Sequence, residues 1–307
     1  MSGATLPMTL GCYFTMRAEL FMVTYGNDYE FAEYTLRSIK KFGFGFAGIT
    51  IVVPTKDETR FKVLADRYGV NLRSFFEAHG KGFLHHQVVK CEADLWCPRD
   101  TDLIVHIDAD CVFKEPFSPE TFIHEGKVIL VREHFEDFKQ YQARYSWKHN
   151  VEYALGINVE WETMCRHPSV FYKDMYPRMR ARIEDRHHYP FTQYVLLQRN
   201  EFPQTFAEFP TIGGYAIEFE PQRYQMVNQI ITPGPFYDNT YFRPFNINPV
   251  SRDQNGHPTV KDEVNITLWE NADGTHEVRG LISPVQYFWS RKGVTPEYRQ
   301  QLEAILA

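Results

Sequence analysis

The chain lacks any apolar run approaching the ~20 residues that a membrane-spanning helix requires, which excludes an integral helical membrane protein. Its opening residues, Met-Ser-Gly-Ala-Thr-Leu-Pro, lack the basic and apolar regions of a secretory leader, so the expected location is the cytoplasm. Cysteine is scarce. Cys12, Cys91, Cys97, Cys111 and Cys165 are odd in number and never spaced as CxxC, which argues against a disulfide framework or zinc ribbon and fits reduced thiols. No block of Lys or Arg offsets the net charge of -6, so binding to nucleic acid through phosphate neutralisation is not expected. Internal repeats and low-complexity linkers are also missing.

What is present is material for a large core. The 307 residues are 43% hydrophobic and include 25 Phe, 18 Tyr and 5 Trp, a composition that excludes disorder, collagen and coiled coil. The first 135 residues or so alternate short apolar runs with helical periodicity. Leu20–Tyr25 reads as a buried strand, and Asn27 as the cap of a helix in which Phe31, Tyr34, Thr35 and Ile39 share a face. Ile49–Val53 is a strand, Asp57–Tyr68 a helix, Val70–Phe76 a strand, His85–Trp96 a helix and Leu103–Ile107 a strand. This rhythm predicts an α/β fold of Rossmann type, with a mostly parallel sheet and helices on both faces. From about Ala216 the pattern changes. Val264–Trp269 and Thr275–Val278 flank Asp273-Gly274 as in a hairpin, so residues 221–307 are expected to form a β-rich elaboration packed on a catalytic body of residues 1–220.

Gly43-Phe44-Gly45-Phe46-Ala47-Gly48 matches the dinucleotide fingerprint GxGxxG. It follows a helix and precedes a strand, the reverse of the order in which a helix N-terminus could receive pyrophosphate, so it is read as a turn. Asp108-Ala109-Asp110 is different, because it directly follows the apolar strand Leu103–Ile107. Ligands of open α/β sheets sit at such strand ends. Two carboxylates one residue apart can share Mn²⁺ or Mg²⁺ and its waters, and through it the two phosphates of a nucleotide-sugar. An EF-hand reading fails, since Val112 and Phe113 stand where a ligand and glycine are needed. A haloacid dehalogenase-like phosphatase would use Asp108 as nucleophile, but that family carries the motif on its first core strand and here it falls on about the fourth.

Gln87 and Lys90 are three apart and so share a helix face; Lys90 is a candidate partner for a diphosphate, against the alternative of a solvated face. His85-His86 and His187-His188 are adjacent pairs that diverge instead of chelating. Glu208 stands between Phe206 and Phe209 ahead of Gly213-Gly214, read here as a sharp turn, and such an apolar setting suits a proton acceptor. Glu201 and Glu218 are alternative bases. The arginines of residues 166–186 read as an exposed amphipathic helix.

Taken together, these elements resemble GT-A-type, metal-dependent glycosyltransferases, in particular a group of poorly characterised microbial and viral members. The resemblance spans about residues 19–220 and rests on Thr24-Tyr25 with Asp28, Gln87-x-x-Lys90, Asp108-Ala109-Asp110, Arg166-His167-Pro168, and Phe206-x-Glu208-Phe209-x-x-x-Gly213-x-Tyr215-Ala216. It implies a GT-A-like fold and a nucleotide-sugar donor, a UDP-sugar being the first expectation, lying across the strand ends. Thr24, Tyr25 and Asp28 would be near base and ribose, with Gln87, Lys90, Asp108 and Ala109 also donor-binding. Asp108 and Asp110 would form the metal site, and Glu208 would be the base for a glycan or other hydroxyl acceptor, with inversion at the anomeric carbon. A third metal ligand is not assigned: His257 and His276 match no motif. A non-catalytic carbohydrate-binding protein is the remaining alternative.

Overall fold

The computed structural model describes residues 16–77, 80–138, 142–164, 168–200, 206–229, 251–252, 258–259, 265–270, 276–281, 284–288 and 293–307. Strand β1 (Ala18–Val23) is buried along its whole length, the burial that a continuous apolar run requires of a central parallel strand. The chain then passes through a 3-10 turn, Gly26–Asp28, before α1 (Tyr29–Phe42). Asn27 is therefore not the helix cap expected of it. The Asp57 carboxylate accepts the Gly26 N–H at 2.9 Å and holds the chain in this tighter turn.

Next come β2 (Gly48–Pro54), α2 (Glu58–Tyr68), β3 (Asn71–Phe75), α3 (Gly82–Cys91), α4 (Ala93–Trp96) and β4 (Leu103–Ile107). The helix expected over His85–Trp96 thus starts earlier, at Gly82, and is interrupted at Glu92. Following these are β5 (Cys111–Phe113), β6 (Ile123–His124), β7 (Lys127–His134), α5 (Gln142–Leu155), β8 (Trp161–Glu162) and β9 (Ser169–Tyr172). Three helices come next, α6 (Met175–His187), α7 (Phe191–Leu196) and α8 (Glu208–Phe219).

The main sheet has the order β3-β2-β1-β4-β9. Its first four strands are parallel and β9 is antiparallel to β4, so the α/β, mostly parallel architecture is as the alternation predicts. Right-handed crossovers from β1 to β2 to β3 put α1 and α2 on one face, where the Tyr29 and Phe61 rings meet at 5.2 Å. The return to β4, on the other side of β1, puts α3 on the opposite face. There Phe21 of β1 and His106 of β4 pack with Tyr176 of α6 and Phe209 of α8. His106 Nε2 is 2.6 Å from the Tyr176 hydroxyl.

A second sheet begins with β7, which pairs with β6 and β8 and lies parallel to β10 (Tyr224–Gln229). The chain continues as β11 (Ser251–Arg252), β12 (Pro258–Thr259), β13 (Asn265–Glu270), β14 (His276–Leu281), β15 (Val285–Tyr287) and α9 (Pro296–Leu306). β13 pairs antiparallel with both β10 and β14, giving the expected hairpin; its Asp273-Gly274 turn lies outside the described residues. β15 returns to pair with β5. Among the described residues no helix is long and apolar enough to cross a membrane.

The glycines divide into two kinds. Gly45 has φ +76 in the connection between α1 and β2, as the turn reading of GxGxxG requires. Gly213 and Gly214, by contrast, form no turn: both are buried inside α8. A Cβ on Gly213 would lie 2.1 Å from Thr163 Oγ1 and 2.5 Å from Thr163 Cβ, so the missing side chain is what lets α8 close on the residue after β8. At Gly214 the nearest atom would be Val151 Cγ1 at 3.1 Å. Gly213→Ala is therefore expected to destabilise the fold by about 3 kcal/mol, the upper part of the overpacking range, and Gly214→Ala by much less. Urea denaturation of both variants measures the difference; equal losses would contradict this packing.

Candidate functional site

The sheet changes direction of winding between β1 and β4, and crevices at such switch points are where open α/β sheets take ligands. Met22 pairs with Ile107, so Thr24 and Asp108 lie just beyond the paired ends of neighbouring strands. The Thr24 N–H donates to the Val52 carbonyl at 3.1 Å, and the Asp28 N–H to the Tyr25 carbonyl at 3.0 Å. Asp108 opens a turn closed by the Cys111 N–H on its carbonyl at 3.1 Å. The Thr35 hydroxyl donates to the Ala109 carbonyl at 2.6 Å, and the Phe288 N–H to the Asp110 carbonyl at 2.9 Å. Helix α1 and the segment after β15 thus fix the acidic turn through its backbone, leaving both acid side chains partly exposed.

Lys90 connects the site. Its Nζ donates to Asp108 Oδ1 at 3.0 Å and to Glu208 Oε1 at 3.1 Å. The lysine side chain is 12% exposed and that of Glu208 9%. The ammonium also stands 4.7 Å from the Phe209 ring centroid, a cation–π contact that strengthens where water is excluded. Burial pushes the Lys90 pKa down, but Asp108 and Glu208 outweigh it and hold the group above the ordinary lysine value. It is a fixed positive charge. A solvated face for Gln87 and Lys90 is thereby ruled out, since Gln87 is only 2% exposed.

Glu208 is the first residue of α8, where the helix macrodipole favours a carboxylate. Glu218 lies ten residues along the same helix, about 15 Å away at 1.5 Å per residue, and is exposed; it does not share the site. Glu201, His257 and Arg166-His167 lie outside the described residues, and His276 opens β14, paired with Glu270 in the second sheet.

Around the crevice runs a row of rings. Tyr25 meets His86 edge to face at 5.6 Å, His86 meets Phe75 at 5.8 Å, and Phe75 stacks on His85 at 6.0 Å. Burial, with help from the nearby Lys90 charge, lowers the His86 pKa to about 4, so the ring is neutral near pH 7. The arginines of α6 are held by intramolecular partners: Arg180 pairs with Asp94 at 2.9 Å, Arg178 with Glu220 at 2.7 Å, and Arg182 with the Leu155 carbonyl at 2.7 Å. They belong to the packing of α6.

Among the described residues no group of three or more His, Cys, Asp and Glu is placed to hold a metal. Asp108 and Asp110 supply a two-carboxylate oxygen set, which fits Mg²⁺ or Mn²⁺ bound jointly with phosphate oxygens and water. It does not fit a closed structural zinc centre, which needs four protein ligands.

No family model matches the chain, and no curated protein matches it. Among solved structures it is similar to a 4-diphosphocytidyl-2C-methyl-D-erythritol synthase from Anaerococcus prevotii DSM 20548, at 12% identity and a TM-score of 0.38, covering 70% of this chain and 87% of the other. It is also similar to mouse xyloside xylosyltransferase 1 in its apo form, at 10% identity and a TM-score of 0.38, covering 69% and 85%.

Two outcomes follow from the charges. Lys90→Met leaves two carboxylates facing each other without their cation and should cost about 3 kcal/mol, the lower end for a broken buried pair because Asp108 is partly solvated; Lys90→Arg, which keeps the charge, should cost less in the same denaturation assay. For His86 the unfolded pKa is about 6.5 and the folded value about 4. The unfolded chain therefore binds the extra proton between those values, and stability falls as pH drops through that window. A His86→Gln variant should show a flatter stability loss than wild type from pH 6.5 to 4; identical profiles would place His86 in water.

Proposed function

We propose that the protein is a metal-dependent glycosyltransferase that moves a sugar from a nucleoside-diphosphate-sugar to a hydroxyl acceptor. The observation that carries this reading is the bridge from Asp108 through Lys90 to Glu208 at the sheet's switch point. It brings together Asp108, the acid assigned here to the metal, the permanent cation Lys90 and the buried carboxylate Glu208, from the end of β4, from α3 and from α8. A sugar-nucleotide transfer needs these three functions. Asp110, with Asp108, would hold Mn²⁺ or Mg²⁺, which when bound offsets charge on the departing diphosphate.

Lys90 contributes positive charge without needing a proton from solution, and because it is already desolvated its attraction for phosphate or sugar oxygens is not diluted by water. Glu208 uses Oε1 to hold Lys90, and Oε2 is the oxygen that would take the acceptor proton as the hydroxyl attacks the anomeric carbon. Attack from the face opposite the diphosphate gives inversion. Thr24, Tyr25 and Asp28, at the end of β1 and the start of α1, would receive base and ribose, with UDP the first nucleotide to try. The expected acceptor is a glycan or another hydroxyl compound.

Support for a transferase over a phosphatase comes from the position of Asp108. It follows the fourth strand, and Lys90 holds its Oδ1, which leaves a nucleophilic role less favoured than a binding one.

Incubation with UDP-glucose, UDP-galactose, UDP-N-acetylglucosamine, UDP-xylose or GDP-mannose and Mn²⁺ should give slow donor hydrolysis and a raised melting temperature with at least one of them. Asp110→Asn should abolish the metal-dependent part of donor binding while leaving the fold intact. Glu208→Gln should leave donor affinity near wild type and lower transfer by about 10²–10⁴-fold. Full activity of Asp110→Asn in EDTA would overturn the metal site, wild-type transfer by Glu208→Gln would overturn the base, and phosphate release from simple esters would favour the phosphatase.

A further inference from the structure

A second concavity lies between α8 and the segment that joins α5 to β8. It encloses about 400 Å³, with apolar walls from Ile157, Val159 and Trp161 on the segment and Ile217 on α8. Small-molecule sites have volumes of this order. Gly214, Ile217 and Glu218 are three and four residues apart, so one face of α8 supplies them. Gly214 stands six residues beyond Glu208 on that helix, about 9 Å at 1.5 Å per residue, which separates the cavity from the Lys90 cluster.

The walls are held by contacts that need no ligand. The Phe135 N–H donates to the Glu160 carbonyl at 2.8 Å, and the Val159 N–H to Glu152 Oε1 at 3.3 Å. The Thr163 hydroxyl donates to the Phe209 carbonyl at 2.8 Å and ties the residue after β8 to α8. The Arg132 guanidinium lies 3.9 Å from the Trp161 ring centroid, and the His134 ring meets that indole edge to face at 5.1 Å. A wall fixed in advance spares a ligand the cost of ordering it.

The lining carries one sign of charge. Asn158, Glu160 and Glu218 line the cavity and are exposed, and no Lys, Arg or His lines it. No hydrogen bond or ion pair joins either carboxylate to another described residue. A phosphate or other anion is repelled here, and the net charge of -6 adds to the same field. A bare metal ion fits no better, because among the described residues no group of three or more His, Cys, Asp and Glu is placed to hold one and apolar side chains give it no ligand. A cation that carries hydrocarbon matches both the carboxylates and the apolar walls.

We infer that this cavity is a binding site for a small organic cation, a primary ammonium group on an apolar body. The ammonium has three N–H donors and no acceptor, which suits Glu160, Glu218 and the Asn158 carbonyl oxygen. The body is covered by Ile157, Trp161 and Ile217. The inference stands without the nucleotide-sugar reading, since none of the lining residues belongs to the donor crevice.

Calorimetry of the full-length protein with cyclohexylmethylammonium should show saturable binding of one molecule per chain at low salt, weakening as salt screens the carboxylates. Cyclohexylmethanol keeps the body and lacks the charge, while methylammonium keeps the charge and lacks the body. Each should bind at least about fivefold more weakly. Glu160→Gln and Glu218→Gln replace exposed groups and should melt close to wild type. Each should lower affinity for cyclohexylmethylammonium about fivefold, the upper end for one exposed ion pair. Equal binding of cyclohexylmethanol would overturn the cationic ligand, and equal binding of methylammonium would overturn the apolar part of the site. Unchanged affinity in both variants, or no binding by wild type, would overturn the inference as a whole.

Discussion

A buried ammonium between two carboxylates organises this structure. Lys90, Asp108 and Glu208 come from three separate parts of the chain, up to 118 residues apart, and neither the ammonium nor the Glu208 carboxylate, both largely buried, is tolerable alone where it stands. A desolvated charge is costly unless paired. The pairing therefore constrains the packing of α3 against the ends of β1 and β4, and the approach of α8 from the side. Gly213 belongs to the same constraint, because only a residue without a side chain allows α8 to settle against Thr163 with Glu208 at its first turn.

The topology supplies the place for this charge cluster. With β1 at the point where the winding reverses, the connections leave β1 and β4 toward opposite sides, the condition that puts ligand crevices at such strand ends. α1 serves the site from below through Thr35, whose hydroxyl holds the Ala109 carbonyl. α3 serves it from the other face. The aromatic row of Tyr25, His86, Phe75 and His85 extends the crevice toward β3, and the neutrality of His86 keeps that wall from repelling Lys90.

Local signals made the main sheet legible in the sequence. The runs Leu20–Val23, Ile51–Val53 and Leu103–Ile107 are apolar on both faces because those strands are buried on both faces, and the helices between them carry clear periodicity. Asp108 and Asp110 were legible for the same reason, as polar residues where a buried strand must end. Less legible were features set by distant contacts. The start of α1 was displaced by Asp57, thirty-one residues away. Gly213-Gly214 resembles a turn locally but is helical, and the need for glycine at Gly213 comes from Thr163, which occupies the space a side chain would fill. Gln87 and Lys90 could be placed on one face, but no periodicity distinguishes a face turned to solvent from one turned to two acids on other elements.

The last part of the chain shows how a remote segment reaches the same centre. β15 pairs with β5 immediately after the acidic turn, and the Phe288 N–H then bonds the Asp110 carbonyl. Phe288 packs with Phe31, Val112 and Leu302, which ties that bond to α9 lying along α1. The helix is further held by Glu303, bonded to the Tyr34 hydroxyl at 2.9 Å and to Arg37. α1 thus braces the Asp108–Asp110 turn twice, directly through Thr35 and indirectly through the C-terminal strap. A turn fixed through its carbonyls keeps its backbone in place independently of the partners its carboxylates take, Lys90 on Asp108 among them.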